Sequence, residues 1–178
     1  MDHSDRGTGR TSAYLMLALN LLISGIVMYL VMFTMIDGPT EFYNNLNMAY
    51  MAVMMVAPMA ILMVLMMGAM YRSRAVNIAI IIGFAGLFAV AFVFMRQQTA
   101  IGDVQFLRSM IPHHSGAILM CREASLRDPE ITILCQEIVR SQREEINQME
   151  RILSRYQATN QGAGKRATGA PQASAERR

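Results

Sequence analysis

Three uncharged apolar runs, Tyr14–Ile36, Met48–Met70 and Val76–Met95, fill most of the first half of the chain. Each reaches about 20 residues, enough for a helix to cross a hydrocarbon core of about 30 Å. Inside lipid the backbone has no water to bond, so such a run has to close its own hydrogen bonds as a helix. The pattern predicts three transmembrane helices with membrane lipid as their first partner. The first run is too long for the apolar part of a signal peptide, and no small-residue cleavage site follows it, so it is expected to remain. No Asp, Glu, Lys, Arg or His lies within the runs, which argues against an ion-coupled transporter.

Positive residues near the helix ends set the expected orientation. Arg6 and Arg10 precede the first run, and Arg72 and Arg74 separate the second from the third. The loop Asp37–Asn47 carries Asp37 and Glu41 but no Lys or Arg. Residues 1–13 are therefore expected in the cytoplasm and 14–95 in the inner (cytoplasmic) membrane. Everything after Met95 is expected on the extracytoplasmic, periplasmic side. The net charge of +3 invites a nucleic-acid reading, but residues 1–95 and 96–156 are each balanced. The excess lies in the tail 157–178, where Lys165, Arg166, Arg177 and Arg178 face Glu176 alone. With no basic face on a folded part, nucleic acid is excluded as a partner. The Gly/Ala/Ser-rich tail reads as disordered.

Beyond Met95 the pattern becomes amphipathic. Phe106, Leu107, Met110, His113/His114, Ala117, Ile118 and Cys121 recur at three- and four-residue steps, in a helix capped by Thr99 or Asp103 and ending near Ala124. Pro112 predicts a kink or restart. Asp128-Pro129-Glu130 is a helix start, with an N-cap, a proline and an acid in order. From Ile131 through Leu134, Cys135, Ile138, Gln142, Glu145, Ile146, Met149, Ile152 and Leu153 the seam continues to about Tyr156. The fold class is all-α: three transmembrane helices followed by an extracytoplasmic two-helix hairpin, residues 96–156. A two-helix hairpin buries little alone and needs a neighbour. A second copy completing a four-helix bundle makes a homodimer the simple solution; packing on the membrane region is the other.

The chemistry of the hairpin centres on Met110-Ile111-Pro112-His113-His114 and Met120-Cys121. Met110 lies one turn from His114, and a turn centred near Asp128 places Cys121 opposite Cys135, His114 opposite Gln142, and Met110 near Ile146 and Met149. Thioether, imidazole and thiol groups then share a seam. Soft sulfur with imidazole favours Cu(I), or the chemically similar Ag(I), over hard cations. Met110, His114 and Met149 are the first candidates for metal ligands; His113, Met120 and Cys121 are the second. Met and Cys taken singly are more often core residues. Adjacent histidines point about 100° apart on a helix, so one of the two faces the seam. For Cys121 and Cys135 three states stay open: a disulfide, a dithiolate metal site, or two inert thiols. A disulfide would remove both thiolates from the ligand set.

Methionine occurs 18 times in 178 residues, and nine of these fall between positions 48 and 70. Met48, Met51, Met55, Met59, Met63, Met66 and Met70 form a stripe that can be read as a Cu(I) conduit, although packing is the favoured reading. Met1-Asp2-His3 is a chance-level Cu(II) chelate. No Glu-x-x-His, His-Glu-x-x-His, Gly-x-Ser-x-Gly or phosphate loop occurs, and nothing argues for an enzyme.

The stretch Asp103-x-x-Phe106-Leu107-Arg108-x-Met110-Ile111-Pro112-His113-His114, then Ala117-Ile118-x-Met120, resembles the domain of unknown function 305 family. Ile138-x-x-x-Gln142-x-x-Glu145-Ile146-x-x-Met149 is similar to its second helix. The resemblance covers about residues 98–156. It implies a ferritin-like fold, of which this hairpin is half, and copper binding through Met and His, carried here by Met110, His113, His114, Met120 and Met149. Cys121 and Cys135 depart from the family, where small residues are usual. The expected function is that of a membrane-anchored periplasmic binding protein for Cu(I) or Ag(I), in sequestration, metal tolerance or hand-off to a metal-exchange partner protein. The competing expectation is a structural or partner-binding membrane protein with a packed, metal-free seam.

Overall fold

The computed structural model describes the backbone of residues 5–168 except 69 and 72, and the side chains of residues 13–159 except the same two. Met1-Asp2-His3 and residues 169–178 of the tail lie outside the described residues. The described residues form five α-helices: α1 (Asp5–Val31), α2 (Leu46–Met66), α3 (Arg74–Arg96), α4 (Asp103–Glu123) and α5 (Pro129–Thr168). Two short 3-10 turns, Met32–Met35 and Pro39–Glu41, lie between α1 and α2, and no strand occurs among the described residues. The segments Ala13–Met35, Leu46–Met66 and Arg74–Arg96 are long and apolar enough to cross a membrane, in agreement with the three uncharged runs. Their outward side chains, such as Leu15, Leu62 and Ile82, are exposed and apolar, which suits lipid around a multi-pass protein.

Helix α2 packs against both α1 and α3. Its buried positions are small: Ala52, Ala57 and Ala60, with Val64. A Cβ built on Gly25 of α1 would meet Val56 at 3.3 Å, so the two helices touch through small residues, as membrane helices commonly do. None of the stripe's methionines, from Met48 to Met70 just beyond α2, is among the buried residues of this interior. Met51, Met55 and Met70 are exposed, Met66 is 82% exposed, and Met59 and Met63 pack only at the edge of the cluster around Leu17, Leu21 and Ala60. The stripe is divided between exposed positions and half-buried ones at the edge of the cluster, an arrangement that suits packing. The helix runs unbroken through Pro58. Polar bonds close one end of the bundle: the Tyr14 hydroxyl donates to Asn77 Oδ1 at 2.8 Å, and Asn77 Nδ2 donates to the Tyr71 carbonyl at 2.7 Å.

The hairpin forms from α4 and α5. Asp128 caps α5 as expected, its carboxylate accepting from the backbone N–H groups of Glu130 at 2.8 Å and Ile131 at 3.1 Å. Three local expectations are corrected. Gly102, not Thr99 or Asp103, is the N-cap of α4 and gives no side-chain cap; the Asp103 carboxylate instead accepts from the Tyr156 hydroxyl at 2.7 Å. Helix α4 does not restart at Pro112, because the ring is itself buried and the packing around it offsets the one backbone bond that proline removes. Helix α5 does not end near Tyr156 but continues to Thr168. Residues 157–168 contain no proline, and their Ala, Gln, Lys and Arg outweigh Gly162 and Gly164 in helix propensity.

Leu107, Ile111 and Ile118 of α4 pack on Ile146, Met149 and Leu153 of α5 to make the hairpin core. The opposite side of α4 rests on the segment between α1 and α2. A Cβ on Gly116 would come within 3.1 Å of the Met35 carbonyl oxygen, so the residue there has to be glycine or nearly as small. Beside it Glu41, only 3% exposed, accepts from the Ser115 hydroxyl and, at 3.1 Å, from the Gly38 N–H. Arg143 of α5 bridges Glu41 and Asp37, the latter at 2.6 Å, and Arg122 holds both Asp37 carboxylate oxygens at 3.0 Å. The neighbour that the hairpin requires is thus supplied on this side by its own chain.

Breaking this latch exposes its energetic weight. Losing one partner of an enclosed ion pair costs about 3–5 kcal/mol, and solvent access to Arg143, whose side chain is 40% exposed, lowers that to about 2–3 kcal/mol. Arg143→Met is therefore expected to lower the thermal midpoint of the detergent-solubilised chain clearly. Arg122→Met, at a more exposed arginine, should lower it less. Equal midpoints for Arg143→Met and the parent would show that the latch carries no stability.

Candidate metal centre

The register of the hairpin determines which side chains meet. Two polar contacts fix it: Asp103 with Tyr156, and His114 with Glu145, whose Nδ1 and Oε2 lie 3.0 Å apart. In the same register Met110, one turn before His114, is level with Met149, one turn after Glu145. Met110 packs on the core cluster that contains Met149, as this level requires. The sequence expectation that His114 faces Gln142 is corrected by one turn. From the disulfide near the hairpin's end to His114, α5 advances about one turn more than α4, which a symmetric count from the turn misses. Glu145, one of the seam positions of α5, therefore stands against the imidazole in place of Gln142.

His114 is 8% exposed, and its Nδ1 makes no aligned hydrogen bond although the Glu145 carboxylate is within reach. A buried ring nitrogen without a hydrogen bond is uncommon and has a lone pair or proton to place. Burial holds the His114 imidazole below its ordinary range. Glu145 pulls the other way, and neighbouring His113 adds to the depression. The ring is neutral at neutral pH, the form that binds metal. With the proton on Nδ1 turned toward the Glu145 carboxylate as its acceptor, the free lone pair is on Nε2, the arrangement in which metal-binding histidines are commonly oriented.

The candidate ligands divide into two groups. Met110, His114 and Met149 lie in the seam: Met149 and His114 are buried and Met110 is half-buried. His113 and Met120 are exposed, Met120 at 56%, on an outer stripe of α4 with Phe106. The His113 ring centre is 5.9 Å from that of His114, so one histidine turns in and one out, as the helical angle dictates. Cys121 is corrected as a ligand in this state. It forms a disulfide with Cys135 across a Cα–Cα distance of 5.3 Å, and neither sulfur is a thiolate. Among the described residues no three His, Cys, Asp or Glu side chains converge as a metal site, so a site here draws on thioether sulfur. Two thioethers and one neutral imidazole fit a soft monovalent ion and do not fit a hard cation.

Several residues that shape the site escape a reading by motif: Asp37, Glu41, Ser115, Arg122, Arg143 and the role of Glu145. Their signals were weak but present. A loop with two acids and no basic residue invites arginines from elsewhere, and Ser115-Gly116 on an otherwise apolar stripe marks a close approach.

Residues 95–177, which contain the whole hairpin, match the family described as Domain of unknown function (DUF305). The chain is also 35% identical over 118 residues to "Uncharacterized protein L153" of Acanthamoeba polyphaga mimivirus, a match covering 65% of this chain and 76% of that protein. Residues 95–177 are a DUF305 segment. No solved structure matches it. The DUF305 segment begins at Met95, at the end of α3, and so coincides with the change from apolar spans to amphipathic helices.

The depressed imidazole gives a signed pH effect. Between the folded value of His114 and the ordinary value of about 6.5, the unfolded chain binds more protons than the folded one. This contribution to stability is full above about pH 6.5 and is lost as the pH falls toward the folded value. The metal-free chain should melt at a lower temperature at pH 5.5 than at pH 7.5, and His114→Gln should remove part of that difference. A His114→Gln profile identical to the parent would contradict the assignment.

Proposed function

We propose that the protein is a membrane-anchored binding protein for a soft monovalent metal ion, Cu(I) or Ag(I). Its inner-membrane spans hold the hairpin on the extracytoplasmic side, where it sequesters the ion or hands it to a partner protein in metal tolerance. The observation that carries this reading is the four-residue arrangement across the seam: Met110 with His114 on one helix and Glu145 with Met149 on the other, tied by the 3.0 Å His114–Glu145 contact. Met110, Met149 and His114 would hold the ion. Glu145 orients the imidazole, and its half-exposed side chain leaves the edge of the seam open to water. His113 and Met120, exposed on the outer stripe, suit capture or transfer of the ion rather than its retention. Neutral thioethers need lose no proton to bind, so the pH dependence of affinity comes from the imidazole.

Competition for Cu(I) between the full chain in detergent and a chromogenic chelator tests the proposal. Affinity should fall at least tenfold in His114→Ala and Met149→Leu. In Glu145→Ala it should fall about 10–100-fold, the usual cost of losing the group that orients a ligand histidine. Binding no tighter in the parent than in His114→Ala would favour the metal-free, packed seam, in which Met110 and Met149 are only members of the hydrophobic core.

A further inference from the structure

The disulfide lies outside the seam site, near the turn between α4 and α5. Both cysteines are half-buried, and they border an open cleft of about 410 Å³ lined also by Arg122, Leu126, Thr132 and Gln136. Met120, adjacent in sequence, is exposed. The helices bearing the two cysteines are held together by contacts that do not include the disulfide: the Ile118 and Ile146 core, the His114–Glu145 contact and the arginine latch. The Asp128 cap independently fixes the start of α5. The Cα atoms are 5.3 Å apart in the disulfide, and the contacts between the two helices keep them together when the S–S bond is broken, so the two sulfurs stay within reach of one ion.

We infer that Cys121 and Cys135 form a second, redox-gated site for a soft monovalent ion, closed as the disulfide and opened by reduction. The soft-metal character of this inference rests on the proposed function, although the site shares no ligand with the His114 centre. An accessible dithiol, protein-borne or small, attacks the S–S bond; it supplies both electrons and both protons and is itself oxidised to a disulfide. Two thiols remain on the hairpin. One Cu(I) displaces both thiol protons and is held between two thiolates, the softest ligand pair that the described residues bring together. Exchange with a second, more oxidising disulfide, which takes both electrons and two protons and leaves as a dithiol, re-forms the Cys121–Cys135 bond, removes both ligands and expels the ion. The seam centre, built from thioether and imidazole, is untouched by either step. The hairpin thus has one centre that is always available and one that opens only where dithiols are.

The test compares three samples of the full chain in detergent under anaerobic conditions. One is oxidised; one is reduced with a phosphine and then freed of it; one is reduced and alkylated at both thiols. Each is titrated with Cu(I) against a chromogenic chelator. The reduced chain should take up one more Cu(I) per chain than the oxidised chain, and alkylation or the double change Cys121→Ser/Cys135→Ser should abolish the increment. Equal uptake by reduced and oxidised chains overturns the inference, as does an increment that survives alkylation. In a His114→Ala background the increment should persist. Failure of the seam centre would appear instead as no uptake by the oxidised chain, so the two readings fail separately.

Discussion

A carboxylate removed from water has to be paired, and the burial of Glu41 imposes that demand where three parts of the chain meet. The Glu41 carboxylate accepts from the Ser115 hydroxyl of α4, the Gly38 N–H of its own loop and the Arg143 guanidinium of α5. Asp37, satisfied by Arg122 and Arg143 together, extends the same network. The residues that meet Glu41 are close in sequence to those of the seam: Ser115 follows His114, and Arg143 precedes Glu145 by two positions. One side of the hairpin is therefore clamped to the membrane region by ions, and the adjoining side is left to bring imidazole, carboxylate and thioethers level. The clamp is consistent with the register that the Asp103–Tyr156 and His114–Glu145 contacts fix, and it holds the hairpin in place beside the membrane region.

That coupling gives the hairpin two different kinds of stability. Its core, from Leu107 to Leu153, is ordinary apolar packing, and Met110 and Met149 serve in it whether or not an ion is bound. The His114–Glu145 contact adds little to packing and costs desolvation, which holds the imidazole neutral. A polar group kept in an apolar seam without an aligned hydrogen bond is the observation on which the proposed ligand role of His114 rests. The membrane spans contribute position rather than chemistry. Among the described residues their methionines are exposed or half-buried, and the buried positions of α1, α2 and α3 are taken by Ala, Leu and Val.

Much of this was legible in the sequence because it depends on periodicity and on charge-free length. The three spans, the Asp128 start of α5, the division of His113 from His114 and the level pairing of Cys121 with Cys135 follow from helical geometry alone. What escaped depends on long-range partners. Glu41 is one acid in a short loop, and nothing local says that it is buried. Glu145 sits among solvated acids of α5, and only the one-turn offset between the helices distinguishes it. The extension of α5 to Thr168 reflects weak propensities that compositional reading took for disorder. The choice among the three states of the cysteine pair needed a Cα–Cα distance, which no spacing supplies.

X-ray absorption at the copper edge of the Cu(I)-loaded, oxidised full chain addresses the central claim most directly, because it reads the ligand atoms themselves. With the disulfide intact, no thiolate is available, and any sulfur must come from thioether. The account predicts a mixed shell of two sulfur donors and one nitrogen donor, with one sulfur lost in Met149→Leu. A shell of nitrogen and oxygen alone, or a spectrum unchanged by Met149→Leu, would contradict it.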